Sequence, residues 1–458
     1  MSSLHLSTDE FRTLGARVVG IAAELLEELN GMRSFPVLTG AEVSARFDEP
    51  IPESALKDKA LDALADVIAM SRAPTPRFYG YVLGSGDPVA ALADMLASVL
   101  NQNVTAWRSA PAAVTIERQV VQWIASALQC DGFRGSLCGG GSSANLMALA
   151  MAREAKLPAN EAGARPGVIY ASSEVHMSIP KAVALLGLGR ENLRLIPADG
   201  QFQMRAADLR KAIAADIAAG RKPIAVVATA GTVTTGSIDP LAEIATVCRE
   251  HKIWLHVDGA YGALAALAVP NLFHGLSSAD SLSLDAHKWL YQPLDCGILL
   301  FRDSAAARTA FSFTGEYARS LEADPVEGFS FFEESIELSR RFRALKLWLS
   351  LRYHGLEAFR SAIRADLAHA RQLADIVART PELELLAPVT LSAVCFRYRN
   401  ELNAEILGGV IRRGRVYLSN ASIDGKFALR ACFVNHRTTS ADVADIVPEV
   451  LSAAREVQ

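Results

Sequence analysis

The sequence predicts an α/β protein whose main sheet is mostly parallel. Between residues 90 and 303, helical stretches alternate with short β-rich runs, which is the order typical of parallel sheets joined by helices. Residues 224–228, Ile-Ala-Val-Val-Ala, are apolar throughout, as in a strand that helices cover on both faces. Ligands of such sheets bind beyond the carboxyl ends of the strands. We therefore expect a site near Thr229 and Asp258, each of which follows or ends a predicted strand.

An N-terminal arm is expected before this sheet. Residues 7–10, Ser-Thr-Asp-Glu, have the pattern of a helix capping box, and apolar residues follow at helical spacing from Phe11 to Leu29. The proline-rich residues 35–52 predict an extended connector, and a second helix is expected over residues 53–71. Such an arm has little core of its own, so we expect it to pack on the main body or on a second copy of the chain.

The C-terminal third has a different pattern. A long helix is expected over residues 340–379. Residues 415–418 and 427–430 predict a hairpin around an Asp-Gly turn, and a last helix follows. We therefore predict three parts: an N-terminal helical arm at residues 1–83, a large domain at 84–345 and a small C-terminal α+β domain at 346–458.

The composition narrows the class of protein. The 458 residues are 50% hydrophobic and 21% charged, which is enough apolar material to bury a large core. The formal net charge of −4 argues against a nucleic-acid partner. We expect no membrane span and no secretion signal, because no run has the required apolar length or flanks. The six cysteines lack zinc-ligand spacing, so we expect buried thiols, no metal site and a cytoplasmic location.

Two runs that follow predicted strands indicate a cofactor. His287 and Lys288 lie in an otherwise apolar segment, so the lysine is expected in a partly dry environment. Upstream, an apolar run ends at Asp258, followed by Gly259 and Ala260. Pyridoxal phosphate needs a lysine for its Schiff base and a carboxylate that keeps its ring nitrogen protonated. Either residue alone is more simply a surface charge or a helix cap, but the pair predicts a pyridoxal phosphate site.

Three further segments fit the same cofactor. Residues 138–145, Cys-Gly-Gly-Gly-Ser-Ser-Ala-Asn, lead into a helix whose N-terminus suits a phosphate. His176 follows a predicted strand, where an imidazole can stack on a flat ring, and residues 229–236 end the strongest strand with hydroxyls and glycines. Each segment alone has a simpler explanation, because glycine turns, structural histidines and polar strand ends are common.

The order of these segments resembles that of the group II pyridoxal-phosphate-dependent amino acid decarboxylases, typified by aromatic L-amino acid decarboxylase. The resemblance covers nearly the whole chain and extends to residues 76–81, 109–113 and 340–348. It implies the PLP-dependent transferase fold type I and an obligate homodimer with its active site at the interface. It also implies decarboxylation of an L-amino acid to the amine and carbon dioxide, through an external aldimine and a quinonoid.

The resemblance also implies a role for each matching residue. Lys288 would bind the cofactor covalently, Asp258 would pair with its ring nitrogen, and His176 would stack on the ring. The remaining cofactor contacts would be Gly141, Ser142 and His287 around the phosphate, and Thr229 and Ala260 beside the ring.

Asp285 departs from the family pattern, because animal members often have asparagine at that position. A carboxylate that faces a phosphate is repelled by it. We therefore expect Asp285 to contribute only its backbone or to turn away.

A second departure concerns the protonation that follows decarboxylation. Counting back from residues 340–342 without gaps places Phe331 where family members have a mobile-loop tyrosine that assists this step. Phenylalanine has no proton to donate, and related aldehyde synthases carry it there. An aromatic aldehyde synthase, which couples decarboxylation to O2-dependent oxidative deamination, is therefore the alternative function. Other groups that could supply the proton are Tyr317, His176, His287 and Lys288.

The substrate is expected to be an aromatic amino acid. By resemblance, Tyr81 and Trp107 fall near the region that receives the substrate side chain, and aromatic residues suit an aromatic ligand. Ser85 would replace the threonine that contacts the substrate carboxylate in animal members. A fold type I aminotransferase would use the same lysine and aspartate, but it normally grips the carboxylate with an arginine. A catalytically silent homologue is the third alternative.

Overall fold

The structure, a computed structural model, describes residues 4–313 and 326–457. Its strands are β1 (Arg134–Cys138), β2 (Val168–Ser172), β3 (Leu193–Ile196), β4 (Pro223–Thr229), β5 (Trp254–Asp258), β6 (Ser281–Asp285), β7 (Gly297–Phe301), β8 (Leu383–Leu385), β9 (Ala393–Tyr398), β10 (Ser419–Ile423) and β11 (Lys426–Cys432). Its helices are α1 (Thr8–Glu28), α2 (Gly40–Phe47), α3 (Leu64–Met70), α4 (Pro88–Leu100), α5 (Pro111–Ala127), α6 (Gly141–Lys156), α7 (Ser178–Leu185), α8 (Ala206–Ala218), α9 (Leu241–His251), α10 (Ala286–Trp289), α11 (Ser304–Phe311), α12 (Ala344–His354), α13 (Leu356–Arg379), α14 (Asn403–Arg413), α15 (Ser440–Ala444) and α16 (Ile446–Val457).

The main sheet of the described chain has seven strands, in the order β1-β7-β6-β5-β4-β2-β3. The strands from β2 to β6 pair in parallel, whereas β7 pairs antiparallel with both of its neighbours, β1 and β6. The expected α/β fold with a mostly parallel sheet is therefore confirmed.

The uniform apolar character of β4 follows from its place in the middle of this sheet. Val226 and Ala228 belong to the core on one face, whereas Ala225 and Val227 belong to the core on the other. Successive side chains of a strand point to opposite faces, so a strand covered on both sides has no polar face to show. The helix α6 covers one of these faces, packing against β4, β5, β6 and β7.

A second, antiparallel sheet of the order β10-β11-β9-β8 lies in the C-terminal third of the described chain. The predicted hairpin is present, but the strand assigned to residues 415–418 was wrong by several positions, because β10 begins at Ser419. The turn at Asp424 and Gly425, both with positive φ, sets the pairing of β10 with β11. Residues 415–418 instead run beside the arm, where the N–H of Tyr417 donates to the carbonyl of Arg77 at 3.0 Å.

The long helix predicted over residues 340–379 is two helices, α12 and α13. Gly355 separates them with φ +74° and ψ 154°, a conformation that residues other than glycine rarely adopt. The helix α12 packs on α4 and α5, which belong to the large part of the molecule. The boundary predicted after residue 345 falls inside α12. We propose instead that the small domain begins after Gly355.

The arm begins as predicted and then differs. Ser7 and Glu10 form the capping box of α1, and no residue of α1 is buried. The connector predicted to be extended contains the short helix α2. The second predicted helix is a 3-10 turn at Lys57–Ala63 that continues into α3. No helix of the described chain combines the length and apolar character needed to cross a membrane.

Candidate active site

A cavity of about 430 Å³ lies beyond the carboxyl ends of β4, β5 and β6. All eight residues predicted to contact the cofactor line it: Gly141, Ser142, His176, Thr229, Asp258, Ala260, His287 and Lys288. Asn145 and Asp285 line it too. A larger hollow of about 670 Å³ lies near Pro270, but its lining in the described chain contains neither a lysine nor a carboxylate. The smaller cavity therefore carries the chemistry that the sequence predicted.

The glycine-rich loop forms one wall of this cavity. Gly140 has φ +139°, and a Cβ at Gly141 would lie 2.6 Å from the Cβ of Ala260, so neither position tolerates a larger residue without rearrangement. The loop leads directly into the 16-residue helix α6. The free N–H groups and the dipole at such a helix start favour an anion. The loop can therefore hold a phosphate group.

Asp258 ends β5 and is held by three donors. Its Oδ1 accepts the Ser283 hydroxyl at 3.0 Å and the Ala260 N–H at 3.2 Å. Its Oδ2 accepts the side-chain amide of Asn145 at 2.9 Å. Because the donors contact both oxygens and the residue is buried, the carboxylate has one defined orientation.

Lys288 lies on the short helix α10, next to the end of β6. Its Nζ pairs with Oδ2 of Asp285 at 2.9 Å. Asp285 is buried, and its Oδ1 has no hydrogen-bond partner within residues 4–313 and 326–457. The expectation that the Asp285 side chain turns away is wrong, because it lines the cavity and its Oδ2 lies 3.2 Å from a Cβ built at Gly141.

Two histidines of the cavity have defined tautomers. The Ser178 N–H donates to Nδ1 of His176 at 3.2 Å, and the Cys296 N–H donates to Nδ1 of His287 at 3.3 Å. Burial lowers the pKa of both imidazoles. Each neutral ring therefore carries its proton on Nε2. The Nε2 of His287 lies 3.4 Å from Oδ2 of Asp285.

The three residues predicted to bind substrate do not line the cavity within the described residues. Tyr81 is 50% exposed, with its hydroxyl 3.4 Å from that of Tyr417. Ser85 is buried, and its hydroxyl lies 2.8 Å from Nδ1 of His436. Trp107 begins a 3-10 turn and donates its backbone N–H to the carbonyl of Phe329 at 3.0 Å.

Phe331 also lies outside the lining of the cavity. It is fully buried, its ring lies under the Arg340 guanidinium at 4.2 Å, and its N–H donates to the carbonyl of Thr105 at 2.8 Å. Core packing and a backbone hydrogen bond hold Phe331 in place. The structure therefore does not put this residue in a mobile loop. Tyr317, the other candidate of that segment, lies outside the described residues.

Sequence reasoning missed three polar residues around Asp258, which are Asn145, Ser178 and Ser283. All three are buried. One signal could have found Ser283, because Ser281, Ser283 and Asp285 alternate with leucines in β6 and so share one face of the strand. In the structure Ser283 is the register partner of Asp258. Ser178 begins α7 and Asn145 is the fifth residue of α6. Polar residues are ordinary near helix starts, so the local pattern contains no comparable signal.

The cavity fits pyridoxal phosphate on three observations. The glycine-rich loop offers a helix start to the phosphate, and Lys288 is within the same cavity as the carboxylate of Asp258. The Thr229 hydroxyl oxygen is buried and has no hydrogen-bond partner elsewhere in the described residues. An unpaired buried hydroxyl costs free energy, and a polar ligand in the cavity would remove that cost.

A lysine after one strand of a mostly parallel sheet, an aspartate at the end of the neighbouring strand and a glycine-rich phosphate loop define a class. This class is the fold type I enzymes that use pyridoxal phosphate. Residues 43–399 match the family model described as pyridoxal-dependent decarboxylase conserved domain. The chain belongs to this family and is a pyridoxal-phosphate-dependent decarboxylase.

Individual relatives agree with this assignment over nearly their full length. An aromatic-L-amino-acid decarboxylase of Bacillus atrophaeus is 34% identical over 99% of this chain and 98% of its own. A phenylacetaldehyde synthase of Petunia hybrida is 30% identical over 93% of this chain and 90% of its own. The crystal structure of Oryza sativa TDC with PLP and tryptamine superposes with a TM-score of 0.93 at 26% identity, covering 100% of this chain and 99% of that one.

Proposed function

We propose that this enzyme decarboxylates an aromatic L-amino acid to the corresponding amine and carbon dioxide. The observation that carries the proposal is the convergence of Lys288, Asp258, His176 and the glycine-rich loop in one cavity. The 34% identity to an aromatic-L-amino-acid decarboxylase supports the aromatic substrate class. When bound, pyridoxal phosphate supplies a protonated ring that accepts the electrons of the Cα–carboxylate bond.

The residues of the cavity have separate roles in this proposal. Lys288 would hold the cofactor and be displaced by the amine of the substrate. Asp258 would keep the ring nitrogen protonated, and its three donors would keep it in place for that purpose. The flat imidazole of His176 would lie against the ring, and the start of α6 would hold the phosphate.

A proton must be returned to the substrate carbon after carbon dioxide leaves. Among the residues of the described cavity, His176 carries its proton on Nε2, and the amine of Lys288 lies in the same cavity. We propose His176 and Lys288 as the proton donors, in preference to any group at position 331. The burial of Phe331 supports this choice.

The aldehyde synthase reaction is the second candidate. The specific observation in its favour is the 30% identity to a phenylacetaldehyde synthase. It differs from simple decarboxylation in needing oxygen and in releasing ammonia and peroxide with the aldehyde. Phe331 supports it only through sequence position, because the ring does not reach the cavity of its own protomer.

One experiment separates the two candidates. The cofactor-loaded protein is incubated with a panel of aromatic and non-aromatic L-amino acids, and carbon dioxide, amine, aldehyde and peroxide are measured in the same samples. Amine and carbon dioxide in equal amounts, from aromatic substrates, are expected. Aldehyde with peroxide would establish the oxidative reaction instead, and turnover limited to non-aromatic substrates would refute the proposed substrate class.

We also propose that the enzyme is a cytoplasmic homodimer. The support for a dimer is α1, which has no buried residue and exposes Phe11, Val18, Val19 and Leu26. An apolar helix face of this kind normally packs on another surface. We propose that Tyr81, Ser85 and Trp107 contact substrate in the dimer, since none of them lines the described cavity of one protomer.

Light scattering tests the dimer. The expected mass is twice that of the 49.1 kDa chain. The double variant Phe11→Glu/Val18→Glu should shift the protein towards the monomer, because it puts two charges on the apolar face of α1. The matched control is Leu272→Glu, which changes a 44% exposed leucine outside the arm. A wild-type monomer, or a double variant that stays dimeric, would contradict the proposed interface.

A further inference from the structure

A chain of buried polar side chains runs behind Asp258. The indole N–H of Trp254 donates to the Ser281 hydroxyl at 2.8 Å, and that hydroxyl lies 2.9 Å from Nδ1 of His256. The Nε2 of His256 lies 2.8 Å from Oδ1 of Asn145. These four residues and Asp258 are each at most 5% exposed. Buried polar groups are retained where their hydrogen bonds are satisfied, and here every step has a partner.

The direction of each hydrogen bond follows from the two ends of this chain. An indole nitrogen can only donate, so the Ser281 oxygen accepts from Trp254 and its own proton is available to Nδ1 of His256. The amide oxygen Oδ1 of Asn145 can only accept, so Nε2 of His256 must carry the ring proton. The Asn145 end requires this neutral tautomer, and the Trp254 end is compatible with it.

The orientation of the Asn145 amide is then determined. Because Oδ1 is engaged by His256, the Nδ2 group must point to the opposite side. There it donates to Oδ2 of Asp258 and to the hydroxyl of Ser178, both at 2.9 Å. A rotated amide would instead place its oxygen against the carboxylate of Asp258, which is repulsive.

The same amide also determines the contact of His176. The Ser178 oxygen accepts from Asn145, so its hydroxyl proton is free to point to Nδ1 of His176, which lies 2.9 Å away. Asn145 therefore contacts the carboxylate assigned to the ring nitrogen and, through one hydroxyl, the imidazole assigned to the ring face.

We propose that Asn145 and His256 are positioning residues for the cofactor: His256 fixes the Asn145 amide, and that amide aligns Asp258 with the ring nitrogen and His176 with the ring face. The proposal rests on the roles given to Asp258 and His176 under the proposed function. Burial lowers the pKa of His256 to about 4, so the ring is neutral above that pH. The arrangement of donors is therefore the same at neutral and at mildly acidic pH.

The test compares two substitutions of one residue. His256→Phe keeps the size of the ring but removes both nitrogens, whereas His256→Gln keeps an N–H donor that can reach Asn145. Cofactor is removed from the purified full-length protein, and two quantities are measured on adding pyridoxal phosphate. These are its dissociation constant and the midpoint pH of the absorbance change of the bound cofactor.

His256→Phe should weaken cofactor binding about tenfold and move the midpoint pH in the same direction as Asp258→Asn does. His256→Gln should stay within about threefold of the wild type, because the donor is kept. The milder variant Trp254→Phe, which removes only the donor that orients Ser281, should give a smaller shift of the same sign. It serves as the test if His256→Phe fails to fold. His369→Phe is the matched control, since it removes another buried histidine, on α13 and outside the cavity lining.

The outcomes separate this proposal from the one on which it rests. If Asp258→Asn changes both quantities while His256→Phe and Trp254→Phe leave them at wild-type values, the positioning role is refuted and the role of Asp258 stands. If Asp258→Asn itself leaves the midpoint pH and the affinity unchanged, the role of Asp258 is refuted. A midpoint pH that moves equally in His256→Phe and His256→Gln also refutes the positioning role, because the donor would then be irrelevant.

Discussion

Asp285 places a negative charge where the cofactor phosphate is expected. Its carboxylate lies beside Gly141 at the start of α6, and its only ion-pair partner in the described chain is Lys288, whereas the neutral His287 has Nε2 at 3.4 Å. Asp285 and a phosphate would both be attracted to the same helix start. The carboxylate of Asp285 therefore competes with the phosphate for this helix start. It also pairs with the ammonium group of Lys288.

Replacing this carboxylate should strengthen cofactor binding. Asp285→Asn removes the like charge next to the phosphate and keeps the shape of the side chain, so the dissociation constant of pyridoxal phosphate should fall about tenfold. The measurement is a fluorescence titration of the cofactor-free protein. Asp48→Asn, at an exposed aspartate after α2, is the control for net charge. Weaker binding in Asp285→Asn would mean that holding Lys288 matters more than the repulsion.

Asp258 should matter more to turnover than to cofactor retention. Asp258→Ala removes the anion opposite the ring nitrogen, and preorganised charges of this kind typically contribute a factor of about 100 to 1000 to the rate. The variant should still bind cofactor, because the glycine-rich loop and Lys288 are intact. Steady-state release of carbon dioxide and the absorbance of the bound cofactor are measured on the same preparation. Near-normal turnover would contradict the role of Asp258.

At the scale of elements, the site depends on where strands stop and helices start. Thr229 and Asp258 end neighbouring parallel strands and are register partners. The loop before α6 and the helix α10 meet them at the same edge of the sheet, since all four contribute to one cavity. Parallel pairing is what makes this possible, because it gathers the carboxyl ends of successive strands on one side.

The junction between α12 and α13 depends on one glycine. Gly355→Ala should lower the free energy of unfolding by about 1–3 kcal/mol, because φ +74° with ψ 154° is strained for alanine although no heavy atom lies within 4 Å of the added Cβ. Thermal unfolding measures the change. Gly40→Ala is the matched control, since Gly40 also has open space and lacks a positive φ, and it should be close to neutral. Equal melting temperatures for the two variants would show that the junction tolerates alanine.

At the scale of the whole molecule, a buried carboxyl joins the two main parts of the chain. Asp366 on α13 accepts the hydroxyl of Tyr291 at 2.8 Å, and Tyr291 lies three residues after Lys288. Burial raises the pKa of Asp366 from 3.8 to about 7. The protonated carboxyl is therefore the form that the folded protein prefers below about pH 7.

This carboxyl should give the stability a measurable pH dependence. Between about pH 4 and pH 7 the folded protein keeps the proton that the unfolded chain releases, so the free energy of unfolding falls as pH rises through this window. Asp366→Asn removes the effect. Relative to the wild type, the variant should gain about 2–3 kcal/mol between pH 5 and pH 8. Melting curves at both pH values measure it, with the exposed Asp375→Asn on the same helix as control. A constant difference between variant and wild type would contradict the raised pKa.

Local patterns in the sequence were sufficient for much of the fold. The alternation of helices and apolar strands predicted the parallel sheet, because a strand buried on both faces must be apolar along its whole length. The capping box at Ser7 and Glu10 predicted the start of α1, because those hydrogen bonds join residues three apart. The single helix predicted over residues 340–379 was wrong, because glycine does not by itself indicate whether a helix bends, ends or continues.

The cofactor site, like the fold, was predicted in part from local sequence patterns. The sequence by itself determined which residue types meet, because Lys288, Asp258, His176 and the glycine-rich loop each lie at an element end that a parallel sheet gathers at one edge. Only the tertiary structure decided that Asp285 faces the loop, that Phe331 is buried in the core, and that His256 orients Asn145, 111 residues away in the chain. The physical reason is that the direction of a side chain and the partner of a buried polar atom depend on packing between distant segments, and no local pattern encodes them.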